Sequence, residues 1–461
     1  MADLSIDFCG IKSPNPFWLA SAPPTNSGAQ IHKAFEYGWG GAVWKTIGSP
    51  VLNVSNRYGA WHYGGQKMLA INNVELISDR PIELNLAEIA DVKKHWADRA
   101  VIVSAMVECQ QQAWVDIVRR IEDTGADGIE INCGCPHGMS ERGMGSAVGQ
   151  NPDLIEQISE WTTGISKIPI IIKLTPNITD INYPARAAVK GGAPAVSLIN
   201  TINSIIGVDL DSFAITPNVG GKGGHGGYAG PAVKPIALNM LSSIAGLQEL
   251  KEAGTKISGM GGISTWKDAA EFLLLGAHSL QVCTAVMHYG YRLIDDLCDG
   301  LSNWLDEKGY SSVNQIIGAS LPRISQFQDF DLSYRAVAEI NPKTCINCNL
   351  CYVACNDTAH QCIDLYSSDG LQVLPYAYDI RENGKAAATA DRAQPVVREA
   401  DCVGCALCAN VCPVENCITM VERPSGRESV TWREISTNLP EVTTDWAAMQ
   451  RYRREKGIDI H

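Results

Sequence analysis

Two groups of residues in this chain have types and spacings that could do chemistry. Near the C-terminus stand Cys345, Cys348, Cys351 and Cys355 and, after an interval of 46 residues, Cys402, Cys405, Cys408 and Cys412, the last followed by Pro413. At this spacing three thiolates wrap one iron-sulfur cubane while the fourth reaches across to the other, so the pair of motifs implies two [4Fe-4S] clusters with interleaved ligands. One set is Cys345, Cys348, Cys351 and Cys412; the other is Cys402, Cys405, Cys408 and Cys355. Structural zinc is the competing reading, but four cysteines at this spacing, twice over, exceed what a four-thiolate zinc site uses. The second group runs from Asn132 to Gly145, with Cys133, Gly134 and Cys135 directly after the asparagine and glycines at 138, 143 and 145. Those glycines permit open and closed backbone states, and Pro136 fixes the chain as it leaves the preceding run. We read a mobile lid carrying an acid/base thiol, Cys135, against the plainer reading of a cysteine that fills a strand end as a small hydrophobe.

Positioning these groups falls to eight short apolar runs: Phe17–Ala22, Gly41–Lys45, Val101–Val107, Asp127–Asn132, Pro169–Leu174, Pro194–Ile199, Thr255–Met260 and Ser279–Cys283. Most are separated by amphipathic, helix-patterned segments, and that alternation predicts an α/β fold, a closed (β/α)8 TIM barrel. A doubly wound open sheet is the alternative, but its glycine fingerprint follows none of these runs. The stretch 48–78 lacks helical periodicity and is a long loop of the functional kind. The run ends carry Lys45-Thr46, Asn132, Lys173, Asn200-Thr201, Gly261-Gly262 and Cys283-Thr284, more chemistry than core packing requires. Loops after strands seven and eight of such barrels often hold a phosphate, and Gly259 to Gly262 with Cys283-Thr284 offer backbone N–H groups and a hydroxyl. Residues 220–230 hold seven glycines, which allow close approach to a bound cofactor or simply a flexible loop. The predicted domains are 1–332 for the barrel, 333–425 for a small α+β ferredoxin-like domain with an insert at about 366–398, and a tail, 426–461.

The totals agree with a globular chain of two to three domains: 461 residues, 45% of them hydrophobic. A net charge of -13 without long basic runs argues against nucleic acid or an anionic membrane as partner. No apolar run is long enough to span a bilayer and the start lacks a cationic leader, so a cytoplasmic location is expected. Sixteen cysteines there point to metal rather than disulfides.

Two clusters mean that electrons move one at a time, while a barrel with lysines and a phosphate pocket calls for FMN, which converts single electrons into a hydride. Lys173 or Lys45 near the flavin would stabilise its anionic reduced form. Asn73, Asn132 and Asn200 both donate and accept, and three converging amides could read a ring that alternates carbonyl and N–H, such as uracil. An unperturbed cysteine is mostly protonated at neutral pH, so Cys135 can give a proton to a carbon beside a carbonyl while hydride arrives at its neighbour. Cys133 fits packing or shaping of the pocket better than a second acid.

With these residues assembled, the chain resembles the dihydropyrimidine dehydrogenase family, in its bacterial NAD-dependent form with a separate pyrimidine-reducing subunit and a dihydroorotate dehydrogenase-like barrel. The resemblance is carried by Asn73-Val74-Glu75-Leu76-Ile77-Ser78, by Cys135-Pro136-His137-Gly138-Met139 with Glu141-Arg142-Gly143-Met144-Gly145, and by Lys173-Leu174-Thr175-Pro176-Asn177. Further carriers are Asn200-Thr201, Lys234-Pro235-Ile236-Ala237-Leu238, Gly261-Gly262-Ile263 and the paired cysteine motifs. It implies Cys135 as catalytic acid and a substrate shell of Asn73, Glu75, Asn132, Cys133, Gly134, Asn200 and Thr201. FMN is implied at Ser21, Lys45, Thr46, Lys173, Gly230, Met260, Gly261, Gly262, Cys283 and Thr284. It also implies reversible reduction of uracil or thymine to the 5,6-dihydropyrimidine, and NAD(H) and FAD on an iron-sulfur partner subunit in a heterotetramer of two of each. One departure stands out: where the family usually has Asn-Leu-Ser-Cys, this chain has Asn132-Cys133-Gly134-Cys135, so a hydroxyl is missing and a substrate hydrogen bond of roughly 0.5 to 1.5 kcal/mol with it. The competing functions are a dihydroorotate dehydrogenase-like oxidoreductase and an electron-transfer subunit with no substrate of its own.

Overall fold

The computed structural model describes residues 1–135, 143–367, 370–373 and 393–457, so the expected lid at His137 and Gly138 and most of the expected insert fall outside the described residues. The chain divides into two compact units, Met1–Arg323 and Ile324–His461.

In the first unit all eight apolar runs form strands: β1 (Phe17–Leu19), β2 (Gly41–Gly48), β3 (Ala100–Met106), β4 (Gly128–Asn132), β5 (Ile170–Lys173), β6 (Ala195–Leu198), β7 (Lys256–Met260) and β8 (Ser279–Val282). They pair in parallel and in chain order, and β8 closes onto β1 with Leu280 opposite Phe17. Their nearly continuous burial suits parallel strands covered on both faces, where apolar runs need not alternate. Helices between them carry their own start signals. Asn151 caps Pro152–Thr163 by accepting from the Asp153 and Leu154 N–H groups, and Thr265 with Asp268 forms a capping box on Trp266–Leu274.

Two excursions leave the barrel at the C-terminal ends of its strands. The segment after β2 is a hairpin, Tyr58–Tyr63 with Gln66–Asn73, and the segment after β6 supplies Ile202–Ser204 and Gly226–Ala229. All four join in one antiparallel sheet, so the glycine-rich stretch is partly a strand rather than a plain loop. Glycine is required there for room: a Cβ on Gly226 would lie 2.3 Å from Asn72 Oδ1, and one on Gly227 2.4 Å from Thr201 Oγ1. After β8 two helices follow, Thr284–Tyr289 and Leu293–Lys308, separated at Gly290 (φ +82°).

The second unit begins at Ile324, earlier than the expected boundary at residue 332. It pairs Ala336–Ile340 with Ile418–Glu422, and Ile363–Tyr366 with Gln372–Val373 and Gln394–Val397. The tail folds within this unit as three short helices, whose Ile435, Val442 and Tyr452 pack with Leu332, Val430 and Met449.

Candidate active site and metal centre

Because strand residues two apart share a face, Glu130 and Asn132 both point into the barrel from β4 while Ile129 and Ile131 pack outward. The interior is polar where a simpler barrel would be apolar. Glu130, fully buried, accepts from Lys173 Nζ at 3.1 Å, from Ser197 Oγ at 2.9 Å and from Gln281 Nε2 at 2.9 Å. Gln281 also donates to Ser258 at 3.2 Å, which fixes its amide, and among the described residues its buried Oε1 has no hydrogen-bond partner. Buried acceptors are rarely left unpaired, so this atom marks a place for a donor from a bound group.

Above this layer lies a cavity of about 1150 Å³, its open mouth included. Cys135, Asn73, Glu75, Asn132, Asn200 and Thr201 line it. So do Ser21, Lys45, Thr46, Lys173, Gly230, Met260, Gly261, Gly262, Cys283 and Thr284. Two expected substrate residues do not. Cys133 is packed in the barrel core, where burial pushes its thiol up to about 12. Gly134 is absent from the lining because its α-carbon faces the Asn200 side chain. Tyr58, Tyr228, Ser264 and Gln281 line the cavity without having been singled out from sequence. Gln281 and Glu130 left one signal there, a polar residue inside an apolar run one or two places before its end.

The amides form a chain. Asn200 Nδ2 donates to Asn132 Oδ1 at 2.9 Å, Asn132 Nδ2 donates to Thr46 Oγ1 at 3.0 Å, and Thr46 Oγ1 lies 2.9 Å from Ser104 Oγ and 3.2 Å from Ser21 Oγ. Asn73 is held separately, donating to the Gly227 carbonyl at 3.1 Å. Glu75 faces protein rather than open space: it accepts from Lys45 Nζ at 2.6 Å, from Arg57 at 3.0 Å and from the Tyr58 hydroxyl. Burial and that acceptor raise the Tyr58 hydroxyl far above its ordinary pKa. Cys283 lies among these charges, pushed up to about 12 by burial despite Lys173 and Lys45 nearby. Cys135 is 8% exposed beside Ile77, Met106 and Met144. The chain returns to it directly, with Ser146 N–H donating to the Cys135 carbonyl at 3.0 Å and Gly145 (φ +60°) leaving 2.8 Å between that oxygen and any Cβ.

At the cavity rim three glycines have φ values that disfavour side chains: Gly230 (+108°), Gly261 (+128°) and Gly262 (+86°). A Cβ on Gly262 would lie 2.9 Å from the Gly230 carbonyl, and one on Gly261 2.7 Å from Ala237 Cβ. Two ammonium groups, a glycine cradle and an orphaned buried acceptor fit a flavin mononucleotide, whose phosphate and reduced ring are anionic and whose ring carries an N–H.

In the second unit, Cys355, Cys402, Cys405 and Cys408 line one small cavity of about 340 Å³. Cys351 has Cys408, Cys345 and Cys348 as thiol neighbours, and Cys412 has Cys417 and Cys348. Four converging thiols in a largely apolar setting are the donor set that an iron-sulfur cubane takes.

A dihydroorotate dehydrogenase family model matches residues 3–305, and a 4Fe-4S dicluster domain model matches residues 344–416. The chain is 42% identical over 363 residues to the NAD-dependent dihydropyrimidine dehydrogenase subunit PreA of Escherichia coli K12, covering 78% of this chain and 87% of that one. It is 40% identical to the chloroplastic dihydropyrimidine dehydrogenase (NADP(+)) of Arabidopsis thaliana, over 71% of this chain and 79% of that protein. It is 34% identical to the catalytic subunit of dihydroorotate dehydrogenase B (NAD(+)) of Pyrococcus abyssi, over 69% of this chain and 99% of that one. The crystal structure of ligand-free dihydroorotate dehydrogenase from Eimeria tenella has the same fold, with a TM-score of 0.57 at 19% identity over 69% of this chain and 92% of that one. The chain is an oxidoreductase of the FMN-binding dihydroorotate dehydrogenase family, in the branch of the dihydropyrimidine dehydrogenase subunits, with a 4Fe-4S dicluster domain after its barrel.

Proposed function

We propose that the chain reduces uracil or thymine to the 5,6-dihydropyrimidine, reversibly, as the first step of reductive pyrimidine degradation. The observation that carries this reading is the amide chain Asn200–Asn132 opening onto the same cavity as Cys135. When bound, FMN supplies the hydride equivalent for one ring carbon. Cys135 supplies the proton for the other, as an unperturbed cysteine can at neutral pH, and takes it back in the reverse direction. Asn73, Asn132, Asn200 and Thr201 orient the ring through groups that both donate and accept. Glu75 and Glu130 hold the Lys45 and Lys173 ammonium groups in place, which would supply fixed positive charge to a bound flavin, and Gln281 Oε1 would supply an acceptor. Ser21, Thr46, Gly230, Met260, Gly261, Gly262, Cys283 and Thr284 would hold FMN, the glycine N–H groups and the Thr284 hydroxyl offering donors for its phosphate. Cys345, Cys348, Cys351 and Cys412 hold one cluster, and Cys402, Cys405, Cys408 and Cys355 the other.

The PreA proteins are named as subunits, which supports a partner here as well. That partner carries FAD and the NAD(H) site and assembles with this chain as a heterotetramer of two of each. A cytoplasmic location fits sixteen cysteines of which half lie in iron motifs. Among the described residues no helix is long and apolar enough to cross a membrane.

A dihydroorotate-type reaction is disfavoured by charge. The substrate carboxylate there needs a cationic partner, whereas the candidate substrate shell of Asn73, Asn132, Asn200 and Thr201 is neutral and amide-rich. Adding uracil, thymine or orotate to the anaerobically reduced protein separates the readings. Return of the oxidised flavin absorbance with uracil or thymine is expected; a response to orotate alone would favour the dihydroorotate reading, and none at all an electron-transfer role.

A further inference from the structure

Each half of the cysteine-rich unit contains one more thiol than its cluster needs. Cys362 is 4% exposed, lines the same cavity as Cys355, Cys402, Cys405 and Cys408, and has its Sγ 3.5 Å from that of Cys355. Its backbone N–H also donates to Cys355 Sγ at 3.4 Å. In the other half Cys417 is 2% exposed and has Cys345 and Cys412 as thiol neighbours, but its N–H donates to the Val414 carbonyl at 3.2 Å and its Sγ to the Asn341 carbonyl at 3.8 Å. Both extra thiols occupy the same structural place. Cys362 directly precedes the strand Ile363–Tyr366, and Cys417 directly precedes Ile418–Glu422. Each also sits beside the fourth cysteine of its motif, Cys355 or Cys412, the ligand that reaches across to the companion motif's cluster. A buried thiol packs well as a small hydrophobe. Packing alone does not require both of them to stand beside the remote ligand.

The geometry points to Cys362 and Cys417 as reserve cluster ligands, able to take over from Cys355 and Cys412. This rests on the two-cluster reading. In the exchange the bond between iron and Cys355 Sγ breaks and one to Cys362 Sγ forms. The Cys362 proton passes to the released Cys355 thiolate across their direct contact, and no electron is gained or lost. For the other cluster the bond between iron and Cys412 Sγ breaks, one to Cys417 Sγ forms, and the Cys417 proton passes to the released Cys412 thiolate.

Iron content and the EPR spectrum of the dithionite-reduced full chain, prepared anaerobically, test this. Wild type and Cys362→Ala should each hold about eight iron in two cubanes. Cys355→Ala should keep about eight with altered EPR features, and Cys355→Ala/Cys362→Ser should fall to about four, the surviving cluster reporting a folded domain. Cys412→Ala with and without Cys417→Ser repeats the test. Retention in one pair only supports the proposal for that cluster and overturns it for the other. Loss of a cluster from both single variants overturns it, as does retention in both double variants. A wild-type chain with only about four iron would instead remove the two-cluster reading, and the proposal with it.

Discussion

A Cβ on Gly134 would stand 2.5 Å from Nδ2 and 2.6 Å from Cβ of Asn200. The glycine is therefore what allows Asn200 to close over the strand end and donate to Asn132 at 2.9 Å. The serine hydroxyl expected at 134 is not simply missing; the Asn200 amide fills its space.

It follows that Gly134→Ser should harm rather than repair the site. The new side chain pushes Asn200 off Asn132, and loss of one hydrogen bond of about 1 kcal/mol or slightly more corresponds to a rise in KM for uracil approaching tenfold. Steady-state assays with a reduced dye check this, with FMN and iron content unchanged. An unchanged or lower KM would contradict the role given to Asn200.

Glu130 and Lys173 are both buried, and breaking one side of such a pair leaves an uncompensated charge costing about 3–5 kcal/mol. Glu130→Gln and Lys173→Met should each lower the denaturant midpoint strongly, and the double variant should cost clearly less than their sum. Additive losses would show that the two are not coupled.

His278 gives the fold a pH dependence. Burial, and then Lys256, lower its pKa to about 4, and its Nδ1 accepts from Ile257 N–H at 3.2 Å, which a protonated ring could not do. Between pH 4 and about 6.5 the unfolded chain binds a proton that the folded one does not, so this residue's contribution weakens as pH falls through that window, by at most about 3 kcal/mol. Thermal unfolding followed from pH 7 to pH 4 should show a shallower decline for His278→Gln than for wild type.

What the sequence discloses depends on how local the signal is. The eight barrel strands are legible because strands buried on both faces read as apolar runs, and the dicluster domain because the cysteine spacing is itself the motif. The strand Gly226–Ala229 is not, since glycine argues against strands and only Asn72 and Thr201, remote in sequence, explain why no side chain fits there. Cys362 and Cys417 lie outside the motif spacing, and only the fold brings them to Cys355 and Cys412. Glu75 reads as a substrate contact in sequence, but in the fold it is engaged by Lys45, Arg57 and Tyr58.

The central claim is that Cys135 gives the substrate its proton, and flavin reoxidation in Cys135→Ala tests it most directly. After anaerobic reduction, uracil should restore the oxidised flavin absorbance of the wild-type protein. In the variant, with the same flavin and iron content, it should do so at least about 10²-fold more slowly. Reoxidation of the variant at the wild-type rate would contradict the account.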